Sequence, residues 1–314
     1  MISNDFNRII QYMCSLKKPL IFPLILSFFL LSVPLSTAQT SLLLPPQYGK
    51  VIYRLNEKSP NQLFIIGLSH RDTLTCLNGD DTSKVQAEVY KVGDWLIHSQ
   101  GLELLLPEGF FKTKSTKLEK ENINTPGAPN RCALLDIKVL EERLSNNKAY
   151  VNAEMLLKET HPLRLRQVED KKLYEAVRNN LVNLVNCRND SSEYSLLNSK
   201  LEYLQERRTA AMLQKIPEII DDEFQQGSIK SRKAILTVGM YHLHDIIRYL
   251  NENRIMIHAP LPASDETKDY HSELNLLKEH FSVSVILPKT LADDQKILEI
   301  NKLDQIVGKY QSIP

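Results

Sequence analysis

The sequence lacks an excess of charge of either sign. Its 39 Lys and Arg stand against 38 Asp and Glu, a formal net charge of +1. A nucleic-acid binder carries a marked basic excess on one face, so no nucleic-acid partner is expected. The four cysteines, Cys14, Cys76, Cys132 and Cys187, fit no CxxC metal pattern. No flexible linker and no low-complexity tract interrupts the chain. Its composition, 42% hydrophobic and 25% charged, is that of an ordinary globular protein. One domain over residues 39–314 is the economical reading.

What is present at the N-terminus is a targeting pattern. Lys17 and Lys18 precede an apolar run of about 17 residues, which ends at Ser36-Thr37-Ala38. Small residues at −3 and −1 predict signal cleavage after residue 38, and a secreted or periplasmic chain starting at Gln39. The rival is an uncleaved membrane anchor. The run is short of the ~20 residues such a helix needs, and Pro23 and Pro34 interrupt it. Membrane contact is therefore expected only through the signal. Cys14 lies before the apolar run, which argues against a lipoprotein anchor. In an oxidising compartment two of the other three cysteines can pair. Cys76 and Cys132, which flank loop-like stretches, are the preferred pair.

Strand and helix alternate at both ends of the chain. "LLLPPQYGKVIYRL" and "NQLFIIGLSH" read as a strand pair joined by a polar turn. "SKVQAEVYKVGDWLIHSQ" places Val85, Val89, Val92 and Leu96 at helical spacing. "GLELLLPEG" reads as a buried strand ending at Pro107. Residues 112–131 read as a loop. Residues 133–226 read as about four helices, the longest over 191–226 with a break or kink at Pro217. "KAILTVGMYH", "IMIHAPLP" and "FSVSVILPK" read as strands. "LHDIIRYLNENR" and "LADDQKILEINKLDQIVGKY" read as helices. The expected fold is α/β: a central mixed sheet flanked by helices, with a helical insertion between two halves.

Each half carries the same phrase. "LFIIGLSH" ends at His70 and "ILTVGMYH" ends at His242, both apolar runs closing on Gly-x-x-His. In α/β sheets functional groups gather at the carboxyl ends of strands. Two such ends side by side would bring two loop imidazoles together, as metal ligands or as acid and base. Either histidine alone is more commonly a hydrogen-bonded loop residue. "LLLPEG" puts Glu108 at another strand end, as ligand, base or solvated loop carboxylate; Glu103 is a weaker choice. Glu169 and Asp170 precede a helix, where the helix dipole alone accounts for acidic groups. Arg208 falls on an apolar stripe with Leu197, Leu201, Leu204, Ala211 and Met212. A buried guanidinium there needs a carboxylate or an anionic ligand; at the stripe's edge it would snorkel. Glu206 is on the opposite face. His98 and His161 stand in no interpretable pattern.

These residues together resemble the TraB/PrgY/GumN family, which is related to the Tiki metalloproteases. The wider group takes in ChaN-like haem-binding proteins and erythromycin esterases. The resemblance covers most of residues 45–290. It rests on "GLSH" (Gly67–His70), "GMYH" (Gly239–His242), Glu108, Arg208 in an Arg-x-x-x-Met helix, and "QVED" with Glu169 and Asp170. The chain departs from the pattern in "GLSH", where the family more often has Gly-Thr-x-His, and at Thr209, where the family usually has Asn.

The resemblance implies a metal-dependent hydrolase acting on a peptide or protein substrate. A divalent metal (Mn, Co or Zn) would be held by His70, His242 and Glu108. Glu108, Glu169 and Arg208 would be the catalytic groups, with Arg208 fixing a carboxylate or stabilising developing negative charge. The alternative is a non-enzymatic metal- or haem-binding protein of ChaN type, for which Tyr241 beside His242 is a further axial candidate.

Overall fold

The computed structural model describes residues 44–69, 82–109, 152–187, 191–260 and 267–311. The signal segment, His70, Cys76, Cys132 and the 112–131 loop lie outside the described residues.

A six-stranded mixed sheet forms the centre, in the order β1-β8-β2-β5-β3-β4. Its strands are β1 (Gly49–Leu55), β2 (Gln62–Leu68), β3 (Leu104–Pro107), β4 (Arg164–Leu165), β5 (Lys233–Gly239) and β8 (Ser282–Pro288). All neighbours pair in parallel except β1 with β8. Buried on both faces, parallel strands read as continuous apolar runs. Accordingly every residue of QLFIIGL in β2 and of SVSVILP in β8 is buried. β1 closes one edge and is only partly buried. β1 and β2 are therefore not a hairpin pair, contrary to their sequence reading. β8 lies between them and bonds to both, because its apolar run fills the interior position that β1 cannot.

Helix α1 (Thr82–Gln100) packs Val85, Val89, Val92 and Leu96 into the core. The helical block supplies α2 (Ala153–Thr160), α3 (Lys171–Asn186) and α4 (Ser191–Gln225). Asn152 caps α2 by accepting from Met155 N–H, and Asp170 caps α3 by accepting from Lys172 and Leu173 N–H. The helix α4 runs unbroken through Pro217, so of the expected break or kink the break does not occur. Leu213, Ile216 and Ile220 are fully buried on either side and hold that stretch against the core despite one lost backbone bond. Helix α5 (Met240–Glu252) follows β5 directly. A second, two-stranded antiparallel sheet pairs β6 (Arg254–Ile257) with β7 (Tyr270–Glu273). α6 (Asn275–Lys278) leads into β8. The expected closing helix is three short ones, α7 (Lys289–Asp293), α8 (Gln295–Ile300) and α9 (Asp304–Gln311). Asp294 caps the second, and Lys302 adopts a left-handed φ of 56° that ends it. Among the described residues no helix is long and apolar enough to cross a membrane.

Candidate functional site

The strands leading into the two Gly-x-x-His phrases are parallel neighbours. Leu68 pairs with Gly239, and Gly67 with Val238. Gly67 is needed for close packing: a Cβ there would lie 2.6 Å from Leu243 Cδ1 and 2.8 Å from Leu287 Cδ2. Its absence lets α5 settle on β2. On the other side of β5, Pro107 of β3 pairs with Thr237, and Glu108 N–H donates to the Thr237 carbonyl at 3.0 Å. Glu108 thus emerges at the carboxyl end of β3. His242 does not project from a loop, as its sequence reading held. It is the third residue of α5, because the helix begins at Met240 as soon as the strand ends.

Four charged or titratable side chains meet at this edge. Arg208, on α4, is 6% exposed, and Glu169 is 2% exposed. The guanidinium grips Glu169 with two bonds, Nε to Oε1 at 2.8 Å and a terminal nitrogen to Oε2 at 2.7 Å. The same terminal nitrogen donates to Glu108 Oε1 at 2.7 Å. The other terminal nitrogen donates to Gln205 Oε1 at 3.3 Å. Burial works against the Arg208 charge, but Glu169 and Glu108 more than offset it and hold its pKa above the ordinary value. Backbone groups complete the carboxylates. Gly239 N–H donates to Glu108 Oε2 at 2.6 Å, and Gly109 N–H to Glu169 Oε2 at 3.3 Å. Gly109 has a φ of +70° and is exposed, so the cluster reaches the surface there.

His242, 2% exposed, is held at both ring nitrogens. Nδ1 lies 2.7 Å from Thr209 Oγ1, and Nε2 lies 3.3 Å from Glu108 Oε1. The Thr209 hydroxyl donates to the Gln205 carbonyl at 2.9 Å. Its single proton being so used, it accepts from His242 Nδ1–H, and Nε2 is the nitrogen turned to the carboxylate. That nitrogen either shares a proton with Glu108 or offers its lone pair to a cation.

The structure thus brings Glu108, Glu169, Arg208 and His242 into one contact set, while His70 lies outside the described residues. Glu103 sits at the other end of β3, accepting from Lys230 N–H at 2.5 Å. Asp170 and Glu169 part company: the first caps a helix, the second turns to Arg208. Glu206 pairs with Arg248 at 2.9 Å, on the face away from Arg208. Tyr241 is 51% exposed, and burial of the rest of its ring with nearby acidic groups pushes its hydroxyl up to about 12. Sequence reasoning missed Gln205, the Gly109 and Gly239 N–H groups, and the role of Thr209. Only the last had a signal, as the position where the chain departs from the family pattern.

A second group among the described residues has the make-up of a metal site. Asp94, His98 and His161 each place a ligand atom within 4.8 Å of the others. It lies apart from the first, and its residues had no pattern in the sequence because α1 and the end of α2 contribute to it separately. Comparison of the chain with protein-family models, curated proteins and solved structures finds no match in any of the three.

Proposed function

We propose that the chain is an extracytoplasmic hydrolase of TraB/GumN and Tiki type that cleaves peptide bonds, with Glu108, Glu169, Arg208 and His242 as its working centre. The observation that carries this reading is the buried contact of His242 Nε2 with Glu108 Oε1, 3.3 Å long, beside the Arg208 fork at the carboxyl ends of parallel strands. A purely structural ion pair would need Arg208 and one carboxylate. Here a second carboxylate and an imidazole are added where solvent is near. The N-terminal signal pattern supports an extracytoplasmic location.

In this reading Glu108 takes the proton of an attacking water and returns it to the leaving amine, while His242 stays in place beside it. Glu169 holds the guanidinium in place. Arg208 has five N–H groups, four of which make the bonds described. The fifth, beside Gln205, is the one available to a developing oxyanion. The divalent ion implied by the resemblance fits the donor set as far as it is described. Two ligands held about 2.1 Å from one ion stand roughly 3.4 Å apart at a tetrahedral centre, close to the His242–Glu108 separation. The Nδ1–H bond to Thr209 orients the ring in the way metal-bound histidines are oriented. His242, Glu108 and His70 would hold the ion, which when bound would supply Lewis acidity to the scissile carbonyl. A haem-binding role is less well supported, since His242 is 2% exposed and its Nε2 faces the charged Glu108–Arg208 pair, where a haem ligand would face an apolar cavity.

The test is cleavage of a peptide library by the exported protein in buffers containing Mn²⁺, Co²⁺ or Zn²⁺. Wild type is expected to cleave, and His242→Ala to lose cleavage while keeping its circular dichroism spectrum. Equal cleavage by the variant, or none by wild type with any metal, contradicts the reading.

A further inference from the structure

We propose that Asp94, His98 and His161 form a zinc-class transition-metal site, separate from the Glu108–His242 centre, which ties the last turns of α1 to the turn that leads into β4. Asp94 and His98 stand one helical turn apart on the same face of α1, the i,i+4 spacing that lets two side chains share a point. Asp94 Oδ1 lies 3.3 Å from His98 Nε2 and 3.0 Å from His161 Nε2. Ligands held 2.0–2.1 Å from one zinc ion stand about 3.3 Å apart. The preformed spacing therefore needs little adjustment to close on an ion.

A second observation points the same way. His161 Nε2 is buried, and the group it faces is the Asp94 carboxylate, 3.0 Å away. A buried imidazole nitrogen held this close to a carboxylate, with a second imidazole beside both, suits a shared cation as well as a shared proton. The ring is also rigidly placed. His161 ends α2, its N–H bonded to the Leu157 carbonyl at 2.9 Å, and its ring meets that of His98 edge-on at 5.3 Å. The His98 side chain is 72% exposed, so solvent can complete the fourth position.

Two imidazoles with a single carboxylate favour Zn²⁺, Co²⁺, Ni²⁺ or Cu²⁺ over the oxygen-seeking Mg²⁺ and Ca²⁺. Position argues for a structural role. α1 runs back from the carboxyl end of β2 to the amino end of β3, and His161 lies just ahead of β4, whose Arg164 pairs with Leu104. The group therefore sits at the opposite end of the strands from Glu108, where it would fasten the first described helix of the insertion to the main sheet.

The full-length exported protein, stripped with chelator, is titrated with Zn²⁺ by calorimetry and with Co²⁺ by visible absorbance. At least one zinc per chain is expected to bind in wild type and one to remain in His242→Ala, raising Tm by several degrees. His98→Ala, at an exposed position that leaves the fold intact, is expected to weaken binding by about 10-fold or more and to abolish the Tm rise. Two zinc ions per chain, one lost in each variant, would support both sites independently. No binding, binding unchanged in His98→Ala, or binding lost only in His242→Ala would overturn the proposal. His98→Gln provides a second variant with a similar-sized side chain and the same expected loss.

Discussion

Both oxygens of Glu169 are taken up inside the protein, by Arg208 and by Gly109 N–H. Asp170, the next residue, is 35% exposed at its side chain and bonds, among the described residues, to Lys172 and Leu173 N–H and to Lys215. Their substitutions are expected to separate sharply. Glu169→Gln leaves a buried guanidinium short of charge and should cost about 3–5 kcal/mol. Asp170→Ala removes one cap and should cost about 1 kcal/mol. Urea denaturation of the two variants measures both; similar losses would deny Glu169 its ion-pair role. At this scale the stripe left Arg208 either buried and in need of an anion or snorkelling at its edge, and the structure buries it. Which carboxylates answer was not, since Glu108 and Glu169 reach it from separate elements. The Thr209 position was marked by its departure from the pattern, but the use of its hydroxyl was not legible, because it depends on a histidine delivered by another helix.

Elements were legible where one run of sequence decides its own burial. β2, β3, β5 and α1 lie close to where periodicity puts them. The errors come from pairing and from short pieces. The β1–β2 hairpin was misread because their actual common neighbour, β8, is contributed from the far end of the chain. β4 has two residues and β7 four, too few to show a period. The start of α5 at Met240 was missed since Gly239 looks like a turn, yet its φ of −59° is open to any residue. The glycine that sterics require is Gly67. Gly67→Ala is expected to wedge α5 off β2, costing about 1–3 kcal/mol. Because α5 carries His242, peptide cleavage should fall with it. A variant as stable as wild type in urea would show that the contact with Leu243 relaxes freely.

Over the whole molecule, the α4 helix is joined to the sheet edge through charge. Glu223 has a fully buried side chain that receives Arg164 Nε at 3.1 Å and also bonds Arg166. Burial pushes the Glu223 carboxyl up, but hydrogen bonds from Arg166 and then Arg164 more than offset it and hold its pKa below the ordinary 4.5. A carboxyl depressed on folding adds stability above its unfolded pKa and loses it as pH falls through the folded one. Wild type should therefore lose this contribution below pH 4.5. Glu223→Gln should be less stable at neutral pH and show a flatter acid limb, as urea midpoints from neutral pH to about pH 3 would report. A variant with the same acid limb as wild type would remove Glu223 from the account.

The charged cluster at the strand ends is proposed to work on substrate rather than only to hold elements together. The kcat of Glu108→Gln, on the peptide that wild type cleaves best, tests it most directly. The substitution preserves size and keeps an oxygen for Arg208 while removing the base. A fall of about 10²–10⁴-fold is expected, with the fold unchanged by circular dichroism. A kcat equal to that of wild type would contradict it.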